Sequence, residues 1–420
     1  MRVAIFSECY TPVTNGVVTS ILTLRSALRA MGHTVYVIAP GLPQPDDDAD
    51  VFRLPELPFP RHPYHFARPF PRLSVDFQAL HVDIVHCQHP FTVGRMGADL
   101  ARKYGLPMVY TAHSLYDLMI ECARSPLLRK MGPSAARSIV RRFCERAACV
   151  ITPTRHTRDA LRASGVRARF AVVPSGVAPP VSRPEAREAI RNRLGIAPDI
   201  PVLLYVGRLG PEKRLDLLLE AVRYLSGMSA LTACGRDFRV VLVGDGQCRD
   251  ALEKQARACR LQDRVCFVGA QPHATIGDWY AVGDIFVLPS PSETQGLVVV
   301  EAMAAGLPCV VVDQGGPREL VIHEATGLRV PLNAEAFAHA TARLLQNPEI
   351  CRHYGAQGRR HAARFSPEAM ASAVIQVYRD ALERPVTPPT PRVFSLPGRL
   401  RRHREQLKRA HSRVFARRKM

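Results

Sequence analysis

Short apolar runs alternate with segments of helical periodicity along most of the chain, and this alternation constrains the fold more than any other feature. Residues 3–7 (VAIFS) are apolar, residues 8–16 form a polar loop, residues 17–31 carry apolar side chains at helical spacing, and residues 34–39 are apolar again after Gly32. A strand of a buried parallel sheet has a short continuous apolar run, and a helix covers the connection to the next strand. The pattern therefore predicts an α/β fold built from doubly wound parallel sheets.

A proline-rich segment, residues 174–186 (PSGVAPPVSRPEA), divides the chain into two halves that repeat this alternation. We interpret it as a linker between two Rossmann-like domains, residues 1–180 and 181–365, that face each other across a cleft. A helix over residues 366–385 is expected to pack back on the N-terminal domain. The other predicted strands are residues 83–87, 108–112, 149–153 and 170–174 in the first half, and residues 202–206, 239–243, 265–268, 285–288, 309–312 and 328–330 in the second.

Residues 40–71 interrupt the pattern because they are rich in proline and first acidic, then aromatic. We predict irregular structure there. Asp46, Asp47, Asp48 and Asp50 could be taken as an Asp-x-Asp metal motif. A proline-flanked acidic run is more typical of a solvated loop, so we predict no metal site.

A loop that leads into a helix, residues 290–306 (SPSETQGLVVVEAMAAG), carries two carboxylates, Glu293 in the loop and Glu301 in the helix. Because the helix rises about 1.5 Å per residue, they are poorly placed as an acid and nucleophile pair, which needs its carboxyls about 5–10 Å apart. Each could instead accept hydrogen bonds from the hydroxyls of a sugar ring or a ribose. The alternative is an ordinary helix start, with Glu293 as a capping acid and Glu301 solvated.

The amides of Gly296, Leu297 and Val298 begin this helix. They have no partner within the helix, so we expect them to point at whatever the loop holds.

Two cations follow the first strand of the second half in the sequence GRLGPEK. Arg208 and Lys213 lie five residues apart across a turn made by Gly210 and Pro211 and lead into a helix. Cations that converge beside a helix N-terminus are suited to a diphosphate. The alternative is an exposed basic turn.

His113 follows the strand predicted at residues 108–112. Ligands of open parallel sheets collect outside the carboxyl ends of the strands, which makes His113 a candidate site residue. A structural histidine is the alternative.

The chain has a formal charge of +20, and basic residues are concentrated in two places. Residues 124–146 are basic and amphipathic, which is typical either of a helix on an anionic membrane surface or of a surface helix that packs on its own domain. Residues 399–419 lie within a basic tail, residues 386–420, which we expect to be disordered or to lie on a membrane surface. Charge alone does not distinguish phospholipid from nucleic acid as the partner.

Eleven cysteines are scattered without paired zinc spacing, as expected of thiols in a reducing compartment. No signal peptide or apolar stretch long enough to span a membrane is apparent, so we expect a cytoplasmic chain.

In their order and spacing, these features resemble the retaining glycosyltransferases of family 4, which have the GT-B fold. The resemblance covers the chain to about residue 385. It is carried by GRLGPEK with Arg208 and Lys213, VGDG at residues 243–246, Val268 and Gly269, the Glu-x7-Glu pair Glu293 and Glu301, EAMAAGLPCVV, and GGPRELV at residues 315–321.

The N-terminal half is most similar to the branch that glycosylates diacylglycerol and related membrane lipids. The elements that match are YTPVTNGVVTSI, DIVHCQHPFTVG, and PMVYTAHSLYD with the basic segment after it. Mannosyltransferases of the same superfamily share part of this pattern.

The resemblance implies roles for individual residues and no cofactor other than the nucleotide-sugar co-substrate. The diphosphate of the donor would bind Arg208 and Lys213. The ribose would bind Glu301, and the base would contact the Val268 region. Sugar hydroxyls would contact Glu293 and the amides of Gly296 and Leu297, while His113 would face the reacting sugar and Gly16 would let the first loop approach the phosphates.

The chain departs from the family pattern at Asn15 and Ser175, where paired glycines and an asparagine are frequent. The resemblance implies retention of configuration. Fixed cations and helix amides would stabilise the departing diphosphate without a metal. With no evident nucleophile on the acceptor side, a front-face mechanism is the hypothesis.

The expected activity is transfer of a hexose, with UDP-glucose or UDP-galactose favoured as donor, to a lipid such as diacylglycerol at the inner face of the cell membrane. Alternatives are a GDP-mannose-dependent mannosyltransferase, a transferase with a soluble acceptor, and a polyanion-binding or nucleic-acid-binding protein. No nucleic-acid recognition motif is present, so no specific nucleic-acid partner is predicted.

Overall fold

The structure is a computed structural model that describes residues 1–57, 66–67, 72–115, 137–228 and 237–384. It confirms the predicted α/β class, with one parallel sheet in each half of the chain.

The first sheet has seven parallel strands. They are β1 (Arg2–Phe6), β2 (Thr34–Pro40), β3 (Val51–Leu54), β6 (Ile84–Cys87), β7 (Met108–Thr111), β8 (Cys149–Thr152) and β9 (Phe170–Val172), and a separate antiparallel pair is formed by β4 (Glu56–Leu57) and β5 (Phe66–Ala67). The spatial order is β3-β2-β1-β6-β7-β8-β9. The direction of winding reverses between β1 and β6, which is where ligands bind in open α/β sheets.

Three helices with described bounds belong to this half, α1 (Gly16–Ala30), α2 (Thr92–Tyr104) and α3 (Arg155–Ala163), and residues 137–144 are also helical. Asn15 caps α1, since its side-chain oxygen accepts from Val18 N at 2.9 Å. A paired glycine at this position would lack that side-chain hydrogen bond, at a cost of a few tenths of a kcal/mol. The departure from the family pattern at Asn15 therefore has a local structural reason.

The second sheet has six parallel strands. They are β10 (Val202–Val206), β11 (Arg239–Val243), β12 (Val265–Gly269), β13 (Ile285–Leu288), β14 (Cys309–Val312) and β15 (Gly327–Val330). Their order is β12-β11-β10-β13-β14-β15, so the winding reverses between β10 and β13. Every side chain of β10, β13 and β14 is buried, as expected of a sheet that helices cover on both faces.

Nine helices of the described second half surround this sheet or follow it. They are α4 (Ala186–Arg193), α5 (Leu215–Ser226), α6 (Arg249–Ala258), α7 (Ile276–Val282), α8 (Leu297–Ala305), α9 (Pro317–Leu320), α10 (Ala334–Gln346), α11 (Pro348–Ala362) and α12 (Pro367–Leu382).

The last of these helices, α12, packs against the first half of the chain. Met370, Val374 and Tyr378 are buried in one apolar cluster with side chains of α1 and β1. The hydroxyl of Tyr378 lies 2.7 Å from Nδ1 of His86 on β6. The chain therefore crosses between the halves twice, once at the proline-rich segment and once before α12.

The prediction of irregular structure over residues 40–71 was wrong in part, because β3 pairs in parallel with β2. The acidic run before β3 is held by arginines rather than simply solvated. Asp47 pairs with Arg53 at 2.6 Å, with side chains 11% and 6% exposed, and Asp48 lies 2.6 Å from Arg25. A guanidinium buried to this extent needs a carboxylate beside it, so these acids serve the fold.

Part of the basic amphipathic segment, residues 137–146, is described, and it packs on its own domain. Val140, Phe143 and Cys144 are buried in the core of the first half, and the ring of Phe143 packs edge-on against Tyr110 at 5.1 Å. Arg141 and its neighbours Arg137 and Arg142 are exposed. For these residues the apolar stripe is therefore not free to enter a membrane, whereas residues 124–136 and the basic tail lie outside the described residues.

Candidate functional site

The candidate site residues of the second half follow the two strands at which its winding reverses. Arg208 follows β10, and the loop that carries Glu293 follows β13. Because β10 and β13 are neighbours in a parallel sheet, their following loops emerge side by side.

The turn with Arg208 packs tightly against the loop after β11. Gly207 N donates to Val243 O and Leu209 N to Asp245 O, both at 2.9 Å. Gly244 has φ 137°, and a Cβ there would lie 1.9 Å from Gly207 O. Gly244, the first glycine of VGDG, is thus required for the two loops to pack against each other.

Arg208 itself remains largely exposed, with its guanidinium 2.7 Å from the carboxylate of Glu212. The carbonyl of Arg208 accepts from the hydroxyl of Tyr205 at 2.9 Å. The turn is therefore anchored from the core while the guanidinium stays accessible.

Lys213 ends a single 3₁₀ turn, Pro211–Lys213, and its ammonium contacts the carboxylate of Glu293. The two side chains are 18% and 17% exposed. Ser290 and Ser292 reinforce the contact, since their hydroxyls donate to Glu212 O at 3.1 and 3.3 Å. The structure thus brings together Lys213 and Glu293, two candidate residues from distant parts of the sequence.

Glycines shape the loop around Glu293. Gly316 N donates to Glu293 O at 2.7 Å, and a Cβ on Gly315, which has φ 66°, would lie 2.8 Å from Pro291 O. Gly296 has φ 90° and precedes the first residue of α8, Leu297. Glycine adopts this left-handed turn readily, and the amides of the first turn of α8, which follow it, have no acceptor within the helix.

Glu301 lies in α8 and is not the solvated side chain of the alternative interpretation. Tyr280 donates its hydroxyl hydrogen to the Glu301 carboxylate at 2.6 Å. Burial raises the pKa of Glu301, while the Tyr280 hydrogen bond and the charge of His273 oppose the rise. His273 lies in the segment that follows β12, and this segment is therefore near Glu301. Val268, at the end of β12, is half-buried and precedes the same segment.

The first half provides the opposite wall. Thr294, next to Glu293, donates its hydroxyl to His113 O at 2.7 Å, and its own carbonyl accepts from Thr154 Oγ1 at 2.7 Å. A Cβ on Gly16 would lie 3.6 Å from Cδ1 of Leu297. His113 and Gly16 therefore border the same cleft as the loop of Glu293.

The side chain of His113 is buried against Gln88. Nε2 of the ring lies 2.6 Å from Oε1 of Gln88, which follows β6. Burial lowers the pKa of His113 to about 4, so the imidazole is neutral near pH 7.

The sequence analysis missed several residues that join the two halves. The Gln295 side chain accepts from Ser175 N at 2.8 Å and donates to Ser175 O at 3.0 Å, and Ser20 donates to Ser175 Oγ at 2.9 Å. Serine at position 175 therefore keeps polar contacts to both halves. Glu319 caps α3 of the first half by accepting from Arg155 N at 2.9 Å and from His156 N at 2.5 Å.

Glu319 lies within GGPRELV, but nothing in the local sequence predicts its contact with the first half. The local sequence likewise does not predict the contacts of Gln88 with His113 and of Tyr280 with Glu301. Their partners lie in other elements, so no spacing rule would identify them.

Chemically, the cleft combines a lysine, an accessible arginine and free helix amides with carboxylates that accept hydroxyl hydrogen bonds. The cations and amides suit an anion with several oxygens, and the carboxylates suit a polyol. Among the described residues, no helix is both long enough and apolar enough to cross a lipid bilayer.

Comparison with known proteins gives two family matches. Residues 186–361 match the model for glycosyl transferases group 1, and residues 14–179 match the model for glycosyltransferase family 4.

Two relatives are similar over nearly their whole length. An alpha-monoglucosyldiacylglycerol synthase of Acholeplasma laidlawii is 29% identical over 400 residues, which are 91% of this chain and 98% of the relative. A GDP-mannose-dependent alpha-mannosyltransferase of Mycolicibacterium smegmatis is 31% identical over 385 residues, 89% of this chain and 95% of the relative. Among solved structures, a sucrose-phosphate synthase from Thermosynechococcus elongatus is 25% identical with a TM-score of 0.69, covering 90% of this chain and 98% of its own.

Proposed function

Since the chain belongs to glycosyltransferase family 4 and is a glycosyltransferase of the GT-B fold, we propose that it transfers a hexose with retention of configuration from a nucleotide sugar to a membrane lipid such as diacylglycerol. The observation that carries this proposal is the contact of Lys213 with Glu293 at the reversal point of the second sheet, opposite His113. In the proposed complex this cation would bind the diphosphate and the neighbouring carboxylate would bind the sugar.

The donor would lie along the second half of the chain. Its diphosphate would bind Lys213 and Arg208 together with the amide of Val298 in the first turn of α8, and these groups would replace the counterions of the phosphates. Glu301 would accept hydrogen bonds from the ribose hydroxyls, and the segment after Val268 would contact the base.

The sugar would lie between the halves, where Glu293 and the amides of Gly296 and Leu297 would bind its hydroxyls. Gly16 would allow α1 and its preceding loop to approach the phosphates. His113 would contact the sugar from the first half.

In the proposed reaction the bond between the anomeric carbon and the phosphate oxygen breaks while the acceptor oxygen bonds to the same face of the sugar. The acceptor hydroxyl gives its proton to the departing phosphate oxygen. Lys213 and the amide of Val298 at the start of α8 stabilise the negative charge that develops on that phosphate, where removal of one such donor costs about 3–4 kcal/mol in comparable sites. The reaction is proposed to need no metal ion.

UDP-glucose or UDP-galactose is the favoured donor, and glucose as the sugar is supported by the alpha-monoglucosyldiacylglycerol synthase that matches over 98% of its length. GDP-mannose is the second candidate, since the mannosyltransferase relative matches over 95% of its length. Because the chain belongs to a family of transferases, the interpretation as a protein that only binds polyanions is ruled out. Binding of polyanions by the basic tail would accompany the transferase activity.

We place the reaction at the cytoplasmic face of the cell membrane. The exposed arginines of residues 137–142 point away from the core that holds Val140 and Phe143, so they would meet anionic headgroups electrostatically rather than by insertion. Residues 399–419 would add to the attraction.

The test is a donor screen with the purified full-length protein. UDP-glucose, UDP-galactose and GDP-mannose are each offered with vesicles that contain diacylglycerol, and products are identified by mass. A hexosyl diacylglycerol with any donor supports the proposal. Transfer to soluble sugars that is undiminished without vesicles would favour the soluble-acceptor alternative, and no glycolipid with any donor would contradict the lipid acceptor.

A further inference from the structure

Gln88 and His113 form a buried pair at the carboxyl edge of the first sheet. Gln88 directly follows β6, and His113 lies two residues after β7, the neighbouring strand. Gln88 is 2% exposed and His113 is 9% exposed. The backbone of His113 contacts Thr294 in the loop that carries Glu293, so the pair lies at the junction of the two halves.

The hydrogen bond in this pair selects one tautomer of the imidazole. Oε1 of Gln88 only accepts, so Nε2 of His113, 2.6 Å away, must carry the proton. The ring is neutral near pH 7, because burial lowers the pKa of His113 to about 4. Nδ1 therefore keeps its lone pair, and no described residue hydrogen-bonds to it.

The amide nitrogen of the Gln88 side chain indicates a functional reason for a glutamine at this position. Nε2 of Gln88 is buried and has no hydrogen-bond partner in the described part of the chain. Burying an amide without a partner is unfavourable, and a methionine of the same length would avoid the loss. Gln88 therefore weakens the fold at the point where the first sheet, the cleft and the loop that carries Glu293 meet. A residue that does so is expected to serve the reaction.

We propose that Gln88 is a positioning residue for sugar transfer: it holds His113 in the Nε2-protonated tautomer, so that Nδ1 accepts a hydrogen bond from a hydroxyl of the donor sugar. The proposal rests on the proposed function, because it needs a sugar beside His113. In the part of the chain that the structure describes, the titratable side chains His86 and His89 lie near enough to interact with this ring, and burial lowers the pKa of each to about 3. Both are therefore neutral at the working pH.

The first test reads the tautomer directly and needs no activity. Full-length protein labelled with ¹⁵N-histidine is compared with Gln88→Met by NMR, and the His113 signals are assigned by their loss in His113→Ala. We expect the Nε2-protonated form in the unsubstituted protein and a mixture of tautomers in Gln88→Met. A His113 protonated on Nδ1 in the unsubstituted protein would overturn the proposal, whether or not the protein transfers sugar.

The second test is kinetic and uses whichever donor supports transfer. Gln88→Met should lower kcat about 10-fold to 100-fold, the scale on which small misplacements act, with the donor KM changed much less. The control Gln376→Met alters an exposed glutamine of α12 and should leave both constants unchanged. In a His113→Ala background Gln88→Met should cause no further loss, since Gln88 acts through the ring. A further loss of the same size would refute the positioning role.

Gln88→Glu provides a variant that keeps the acceptor if Gln88→Met does not fold. Its carboxylate accepts from Nε2 in the same way but also favours the imidazolium, so the pKa of His113 should rise. Below that pKa Nδ1 carries a proton and no longer accepts. Activity of Gln88→Glu should therefore fall with decreasing pH in a range where the unsubstituted protein keeps its activity, and identical pH profiles would count against the proposal.

Discussion

The ammonium of Lys213 contacts the carboxylate of Glu293 although 80 residues separate them in the sequence. Each side chain emerges at the carboxyl end of one of two neighbouring parallel strands, β10 and β13. The contact joins the proposed phosphate-binding and sugar-binding residues in one place, and a bound diphosphate would compete with Glu293 for the lysine.

Replacing Lys213 tests its part in stabilising the leaving group. Lys213→Ala should lower kcat about 100-fold to 1,000-fold, because the charge that develops on the phosphate loses its nearest cation. Circular dichroism and thermal unfolding should show a folded protein. Lys254→Ala, which removes an exposed lysine of α6, is the matched control. Turnover within a few-fold of the unsubstituted protein would remove Lys213 from the mechanism.

Glu301→Gln tests the proposed ribose contact. The variant keeps the size of the side chain but loses the negative charge, so its affinity for nucleoside diphosphate should fall about 10-fold, the scale of one hydrogen bond to a charged group. Titration calorimetry with UDP and GDP measures this. Burial raises the pKa of Glu301, so the affinity of the unsubstituted protein should also decrease as the pH falls through that raised pKa, and this decrease should be absent in the variant. Equal affinities at pH 8 would contradict the assignment.

Thr294→Val tests the junction between the halves. The change removes the hydroxyl that donates to His113 O at 2.7 Å and leaves a carbonyl without its partner. The lost hydrogen bond should cost about 1–3 kcal/mol. This cost corresponds to a decrease in kcat/KM of about 5-fold to 150-fold. The matched control Thr341→Val removes a hydroxyl that donates to Phe337 O at 2.8 Å within the same helix, α10, and should have little effect on kcat/KM. If both variants behave alike, the contact with His113 does not contribute to the reaction.

Glu8 should make stability depend on pH. Burial raises the pKa of its carboxyl to about 7, against backbone hydrogen bonds from Val93 and Gly94 that lower it. An acid whose pKa is raised on folding stabilises the fold fully below its unfolded pKa and loses this contribution as the pH rises through the folded value. Stability should therefore decrease between about pH 4.5 and pH 7, by at most about 3 kcal/mol.

Glu8→Gln keeps an acceptor for Val93 N, which lies 2.6 Å from Oε1 of Glu8. The variant should unfold at a higher temperature than the unsubstituted protein at pH 8 but not at pH 4.5. Differential scanning calorimetry at the two pH values checks this, and a difference of the same size at both would show that the carboxyl does not titrate as described.

Attachment to anionic vesicles should be sensitive to salt. The proposed attraction of residues 124–146 and 399–419 to anionic lipid acts through charge, and physiological ionic strength shortens the reach of exposed charges to about 8 Å. Sedimentation with anionic vesicles should show binding at low salt that decreases steadily as salt is added, and a protein without residues 386–420 should bind more weakly at each concentration. Attachment that persists at about 1 M salt would indicate apolar insertion instead.

Much of the site could be predicted because it follows from strand ends. Apolar runs such as residues 202–206 and 285–288 identify buried strands locally, and in a parallel sheet the residues after neighbouring strands must meet at one edge. Arg208, Lys213 and His113 were selected as candidates in this way, and Glu293 was selected as a carboxylate in a loop before a helix. The strand β3 was missed because prolines and acids precede it, and these acids are held by arginines that lie elsewhere in the sequence.

By itself, then, the sequence determined the α/β class, most strands and the edge at which the candidate residues collect, because each of these depends on the periodicity of neighbouring residues. Only the tertiary structure decided which side chains touch each other. The pairings of Gln88 with His113 and of Tyr280 with Glu301 join different elements of one half, and the contact of Glu319 with the start of α3 joins the two halves. Such contacts depend on the packing of whole helices and sheets, and no local pattern encodes it.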